Sequence, residues 1–70
     1  MALRAKLIAI REDDGHREFL MAGKLEDVAI TMAMLAGEPS PDGAIYALKE
    51  EHEAILRDGE YVYVAEVISD

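Results

Sequence analysis

The side chains of this 70-residue chain that could do chemistry are carboxylates, hydroxyls and two histidines, since it has no cysteine. Asp13, Asp14 and His16 surround Gly15, with Glu18 close behind. Calcium sites need a longer loop with ligands at alternating positions, and zinc sites need three or four ligands at helix or knuckle spacing. Neither pattern occurs here. A solvated turn explains the cluster better than a metal site, and we expect no cofactor.

The hydroxyl and imidazole groups form no recognisable catalytic pattern. No serine or threonine lies in a nucleophile-elbow motif, and no glycine-rich loop could hold a phosphate. His52 falls on the apolar stripe of a predicted helix, where a boundary histidine with a hydrated edge is the simplest interpretation. A chain of this length could hardly form both a core and a sheltered pocket. We therefore expect a binding protein and not an enzyme.

The charge of the chain bears on its partners. Fifteen Asp and Glu residues against seven Lys and Arg residues give a formal charge of -8. Such a field repels nucleic acid and anionic membranes and attracts basic surfaces. Two interpretations stay open: acidity that keeps a small protein soluble, or an acidic face complementary to a basic groove that normally holds DNA or RNA. Neither involves direct contact with nucleic acid or membrane.

Length and composition indicate one domain over residues 1–70, with 51% hydrophobic residues. Chains of this size bury only about 60% of their unfolded surface, so dimerisation would add stability. Arg4 and Lys6 interrupt the apolar N-terminal run, unlike a signal peptide, and every apolar run is far shorter than the roughly 20 residues of a membrane span. Together with the absence of cysteine, this predicts a cytoplasmic protein.

Hydrophobic patterning predicts the elements of the N-terminal half. Residues 3–11 indicate a strand that is partly apolar on both faces, which favours a central position in a sheet. Asp14-Gly15 predicts a hairpin turn, because glycine tolerates a positive φ, and residues 16–22 form the return strand. Residues 25–36 predict a helix closed by Gly37. Nine of its twelve residues are apolar, so other elements or a second copy must cover most of its sides.

The C-terminal half predicts a second helix and a last strand. Apolar residues near helical period, among them Ile55 and Leu56, extend the helix from about Pro41 to about Asp58. Residues 60–68, rich in β-branched and aromatic side chains, then form a strand. The predicted fold class is α+β, with a three-stranded antiparallel sheet packed on two helices in the order β-β-α-α-β. We expect the last strand beside the first.

The two faces of the last strand lead to different contact surfaces. Tyr61 and Tyr63 share one face, which is either an exposed aromatic contact stripe or packs under the helices. The other face carries Val62 and Val64 but is interrupted by Glu66. The pattern leaves the choice open.

Residues 56–61, Leu-Arg-Asp-Gly-Glu-Tyr, lead from a charged helix directly into the closing strand. An acidic hairpin and a helix that opens with Glu26-Asp27 precede them. In these residues and this order of elements, the chain resembles the small acidic phage anti-CRISPR proteins of the β-β-α-α-β kind. The resemblance implies DNA mimicry, in which carboxylates occupy the lysines and arginines of the Cascade subunit that recognises target DNA. It also implies that the protein acts in the cytoplasm of the host cell.

The contact acids that the resemblance assigns by position are Asp13, Asp14, Glu26 and Asp27. Along the first helix, where such proteins carry further carboxylates, this chain has uncharged residues at positions 31, 32 and 34. A further acidic patch is therefore expected on the second helix, and it is formed by Glu50, Glu51 and Glu53. A different class of function also fits: a homodimeric interaction or regulatory module, antitoxin-like, whose apolar first helix or tyrosine strand forms the interface.

Overall fold

The computed structural model describes residues 3–69. Its elements in chain order are β1 (Arg4–Arg11), β2 (Arg17–Lys24), α1 (Leu25–Leu35), α2 (Asp42–Glu51), β3 (Glu53–Asp58) and β4 (Tyr61–Ser69). The α+β class, the two helices and the antiparallel sheet are confirmed. The prediction of three strands is wrong, because the sheet has four.

The strands lie in the order β2-β1-β4-β3, and each neighbouring pair is antiparallel. The first strand is therefore internal, with the last strand beside it, as its partly apolar faces predict. Both connections within the sheet are hairpins, β1 to β2 and β3 to β4. Because β1 and β4 are neighbours and antiparallel, the turns of the two hairpins lie at the same end of the sheet.

The predicted second helix is wrong in its C-terminal part. α2 ends at Glu51, where His52 adopts a left-handed φ of 64° and donates its main-chain N–H to the Leu48 carbonyl at 3.1 Å. Residues 53–58 instead form β3 and pair with β4. Pairing gives β4 a neighbour on both sides and moves the open edge of the sheet to β3. In this strand alternate residues face the helices, so Ala54 is buried and Leu56 packs against the core.

The helix α1 matches its prediction at both ends. Its buried residues are Leu25, Val28, Ala29, Met32 and Ala33. This spacing places them on one helical stripe, which packs against the sheet and α2. Gly37 has a φ of 72°, and the Glu38 N–H bonds the Ala33 carbonyl at 2.8 Å in a Schellman closure. The outer side of the helix is left uncovered, with Ile30 and Met34 exposed.

Both helices cover the same face of the sheet. Alternate residues of β1, namely Ala5, Leu7 and Ala9, are buried beneath them. Tyr63 of β4 is buried on this face too, which resolves the choice between the faces of the last strand. The tyrosines pack under the helices, and the valines point away from them. Within residues 3–69, neither helix has the length and apolar character needed to cross a bilayer.

Candidate partner-binding surfaces

The carboxylates of the two hairpin turns form one acidic surface, here called the hairpin end. Its members are Glu12, Asp13, Asp14, Asp58 and Glu60. The main-chain N–H of Glu12 donates to the Glu60 carbonyl at 2.9 Å, so the two turns touch. All five side chains belong to exposed residues. The structure therefore brings Asp13 and Asp14, which were predicted as contact acids, together with three further carboxylates.

Two arginines contact three of the five carboxylates of the hairpin end. Arg11 lies 4.0 Å from Asp13 and 3.8 Å from Asp14, and Arg57 donates to Glu12 at 3.0 Å. The Arg11 guanidinium also lies over the Tyr61 ring, 5.9 Å from its centroid. These pairs are exposed, so each adds no more than about 1 kcal/mol to stability. With five acids against these two arginines, the surface keeps a negative excess.

Asp14 is the most constrained of these acids. Its Oδ1 atom accepts a hydrogen bond from the His16 main-chain N–H at 2.9 Å. Gly15 between them has a φ of 72°, which the turn requires. The hydrogen bond from His16 lowers the pKa of Asp14, and the nearby Arg11 guanidinium lowers it further. The carboxylate is therefore ionised at neutral pH and held in one orientation.

The other predicted contact acids lie at the opposite end of the molecule, here called the helix end. Glu26 and Asp27 are in the first turn of α1, and Glu50 and Glu51 are in the last turn of α2. The Lys49 Nζ atom links the two helices, 3.9 Å from Glu26 Oε2. The eight residues of β1, at about 3.3 Å each, separate the two ends by roughly 23 Å. The predicted acids are thus two surfaces and not one.

The longer second helix predicted that Glu53 lies beside Glu50 and Glu51. The structure instead places Glu53 outside α2. It is the first residue of β3 and pairs with Glu66 of β4, which in turn pairs with Lys6 of β1. Directly paired residues point to the same side of a sheet. All three therefore lie on the face that points away from the helices, here called the open face.

Acidic and basic residues are divided between the two sides of the molecule. The register places five of the seven basic residues of the chain on the open face, namely Arg4, Lys6, Arg17, Lys24 and Arg57. Among residues 3–69, the other two are Arg11 and Lys49, which contact carboxylates of the hairpin end and the helix end. The acids on the open face are Glu53 and Glu66. The remaining acids of the described chain lie on the helical side, on β2 or in the turns.

Three members of the hairpin end, Glu12, Asp58 and Glu60, were not predicted as site residues. A sequence signal exists for Asp58 and Glu60, because Asp58-Gly59 between two extended runs has the same form as the hairpin signal Asp14-Gly15. The helix predicted to end near Asp58 concealed this second hairpin.

In the part of the chain that the structure describes, no three His, Asp and Glu side chains are arranged to hold a metal ion. Comparison with known proteins adds no assignment. No protein-family model matches the chain, and neither the curated proteins nor the solved structures give a significant match.

Proposed function

We propose that the protein is a non-catalytic acidic inhibitor that occludes a nucleic-acid-binding surface by DNA mimicry. The class that fits is a phage anti-CRISPR protein, with the DNA-recognising subunit of a Cascade complex as the partner and the host cytoplasm as its location. One observation carries the proposal: the hairpin end gathers five carboxylates, while most of the basic residues lie on the open face.

The physical reason is charge complementarity. A groove that binds phosphates through lysine and arginine binds a rigid acidic surface by the same attraction, with fast and salt-sensitive association. Rigidity lowers the entropy that binding costs. The Glu12–Glu60 hydrogen bond and the bond from the His16 N–H to the Asp14 carboxylate supply that rigidity.

The hairpin end is the better candidate for the contact. The helix end lies at the same end of β1 as Arg4 and Lys24, which pair across β1 and β2. These cations weaken the negative field there. The hairpin end has three arginines, Arg11, Arg57 and Arg17 at the start of β2, but its five carboxylates outnumber them by two. The four acids of the helix end exceed Arg4, Lys24 and Lys49 by only one. We therefore assign the contact to Asp13, Asp14 and the adjoining turn acids.

The experiment is a gel-shift competition in which purified type I Cascade is incubated with the protein before its target duplex is added. The wild-type protein is expected to prevent duplex binding, less effectively as salt rises. The variant D13K/D14K/E60K should lose at least about tenfold in potency, which corresponds to ~1.4 kcal/mol. The matched control D27K/E50K/E51K has the same change of charge at the helix end and should inhibit like the wild type. Circular dichroism verifies that both variants fold.

Two outcomes would overturn the proposal in different ways. Inhibition that survives the hairpin-end reversal but is lost in the helix-end control would move the contact to the helix end. If the wild-type protein leaves duplex binding unchanged up to roughly 100 μM, an affinity too weak for an inhibitor, then mimicry directed at Cascade is wrong.

A further inference from the structure

The open face is apolar at its centre, although one side of a two-layer antiparallel sheet is usually polar. The register aligns Phe19, Ile8, Val64 and Ile55 in one row across all four strands. The ends of this row are the most exposed, at 63% for Phe19 and 54% for Ile55. Four apolar side chains in one row form a continuous patch and not scattered surface residues.

The rows on either side of this central row differ in charge. Towards the hairpin end, the next row contains Arg17, Ile10, Val62 and Arg57. Towards the helix end, the next row contains Ala22, Lys6, Glu66 and Glu53. On β3, the apolar centre is thus flanked by an arginine on one side and a glutamate on the other.

We propose that a second copy of the chain packs on the open face, related by a two-fold axis that runs along the central row. This inference goes beyond the proposed function and does not depend on it. The rotation keeps each strand over its counterpart and exchanges the two flanking rows. Arg57 of each copy then lies opposite Glu53 of the other, and the apolar row packs on itself. Such an isologous contact forms a closed dimer.

The size of the open face reaches the lower limit for a specific dimer interface. Four strands spaced about 4.8 Å apart, each about eight residues long, give a face of roughly 500 Å² per copy. The two copies together would bury about 1,000 Å², before counting the relief of the side chains, and this is where specific interfaces begin. The smallest dimension of the molecule is 17 Å, which is about one sheet and one helix layer. A second sheet packed about 10 Å away would give the exposed row a core.

Charge also favours a second copy over a nucleic acid. The open face has basic residues at both ends, but Glu53 and Glu66 lie inside it, next to the apolar row. A phosphate backbone would meet these carboxylates with repulsion. In the dimer, one of them faces an arginine.

The test is sedimentation equilibrium of the full chain from about 1 to 100 μM, a range that covers typical dimer affinities. We expect the wild type to dimerise. E53R places two arginines opposite each other and R57E places two glutamates opposite each other, so each should weaken the dimer by about tenfold or more. The double variant R57E/E53R restores the opposite charges and should recover most of the affinity. E53R is the cleaner single change, because Arg57 also bonds Glu12.

A second pair of variants separates face packing from pairing between β3 edges, which would also bring Arg57 near Glu53. F19K lies on β2, at the other side of the sheet, so it should dissociate a face-packed dimer and leave an edge-paired dimer intact. M34K, on the exposed side of α1, is the control and should not change association. A monomeric wild type, a dimer that survives F19K, or a double variant that fails to recover would each overturn the proposal. Binding of added single-stranded DNA to a monomeric wild type, lost in F19K, would also overturn it.

Discussion

The main-chain N–H of Glu12 donates a hydrogen bond of 2.9 Å to the carbonyl oxygen of Glu60, two residues that are far apart in the chain. This bond joins the turn of the first hairpin to the turn of the second. It involves no side chain, so the contact between the two turns does not depend on any carboxylate. Replacing a single acid of the hairpin end other than Asp14, whose Oδ1 atom accepts the His16 N–H, should therefore change its charge without changing the arrangement of its turns.

The first prediction concerns Asp14. Because its pKa is lowered in the folded protein, its ionised form stabilises the fold above the ordinary aspartate value of 3.8, and this contribution is lost as pH falls below it. We expect D14A to be less stable than the wild type at pH 7, with a difference that shrinks as the pH falls below about 4. Urea unfolding at a series of pH values measures it.

The control for this prediction is D14N, which keeps an oxygen acceptor for the His16 N–H but cannot ionise. The difference between D14N and D14A should not depend on pH. A difference between the wild type and D14A that is constant from pH 7 to about pH 3 would contradict the linkage argument.

The second prediction compares two methionines of the same helix. Met32 is fully buried and Met34 is 75% exposed. M32A removes core contacts and leaves a cavity, so it should lower the free energy of unfolding by about 2–5 kcal/mol. M34A should change it by less than about 0.5 kcal/mol. Urea unfolding followed by circular dichroism tests both.

If M32A does not fold, M32L keeps the apolar volume and should cost less than about 1.5 kcal/mol. Equal losses of stability in M32A and M34A would contradict the assignment of the buried side of α1.

The third prediction compares two glycines. Gly43 lies in the first turn of α2, and a Cβ atom there would meet no heavy atom within 4 Å. G43A should raise the free energy of unfolding by about 0.5 kcal/mol, because alanine restricts the unfolded chain. Gly37 has open space as well but a φ of 72°, so G37A should lower it by about 1 kcal/mol. Thermal unfolding of both variants measures the change in the free energy of unfolding relative to the wild type. If both variants are stabilised or both are destabilised, the described backbone is contradicted.

The candidate surface could be predicted only in part. The resemblance assigned Asp13 and Asp14 as contact acids, and the local Asp14-Gly15 signal predicted the turn in which the structure places them. Glu60 was not grouped with them, although the last strand was expected beside the first, because residues 53–58 were predicted as helix and the second hairpin turn was therefore missed. Glu53 was assigned to the wrong surface, because its position depends on whether residues 53–58 form a helix or a strand.

The sequence by itself determined the elements whose signals are local. The apolar stripe of α1 with Gly37 behind it, the Asp14-Gly15 hairpin and the partly apolar faces of β1 all led to predictions that the structure confirms. The tertiary structure alone decided the conformation of residues 53–58, whose pattern fits either a helix or a strand. Tertiary contacts decide for the strand, since residues 53–58 pair with β4 along their length and place Ala54 and Leu56 against the core. The registers of β2 and β4 with β1 likewise gather Arg4, Lys6, Arg17 and Lys24 on the open face, because register, and not order along the chain, determines the face on which a side chain lies.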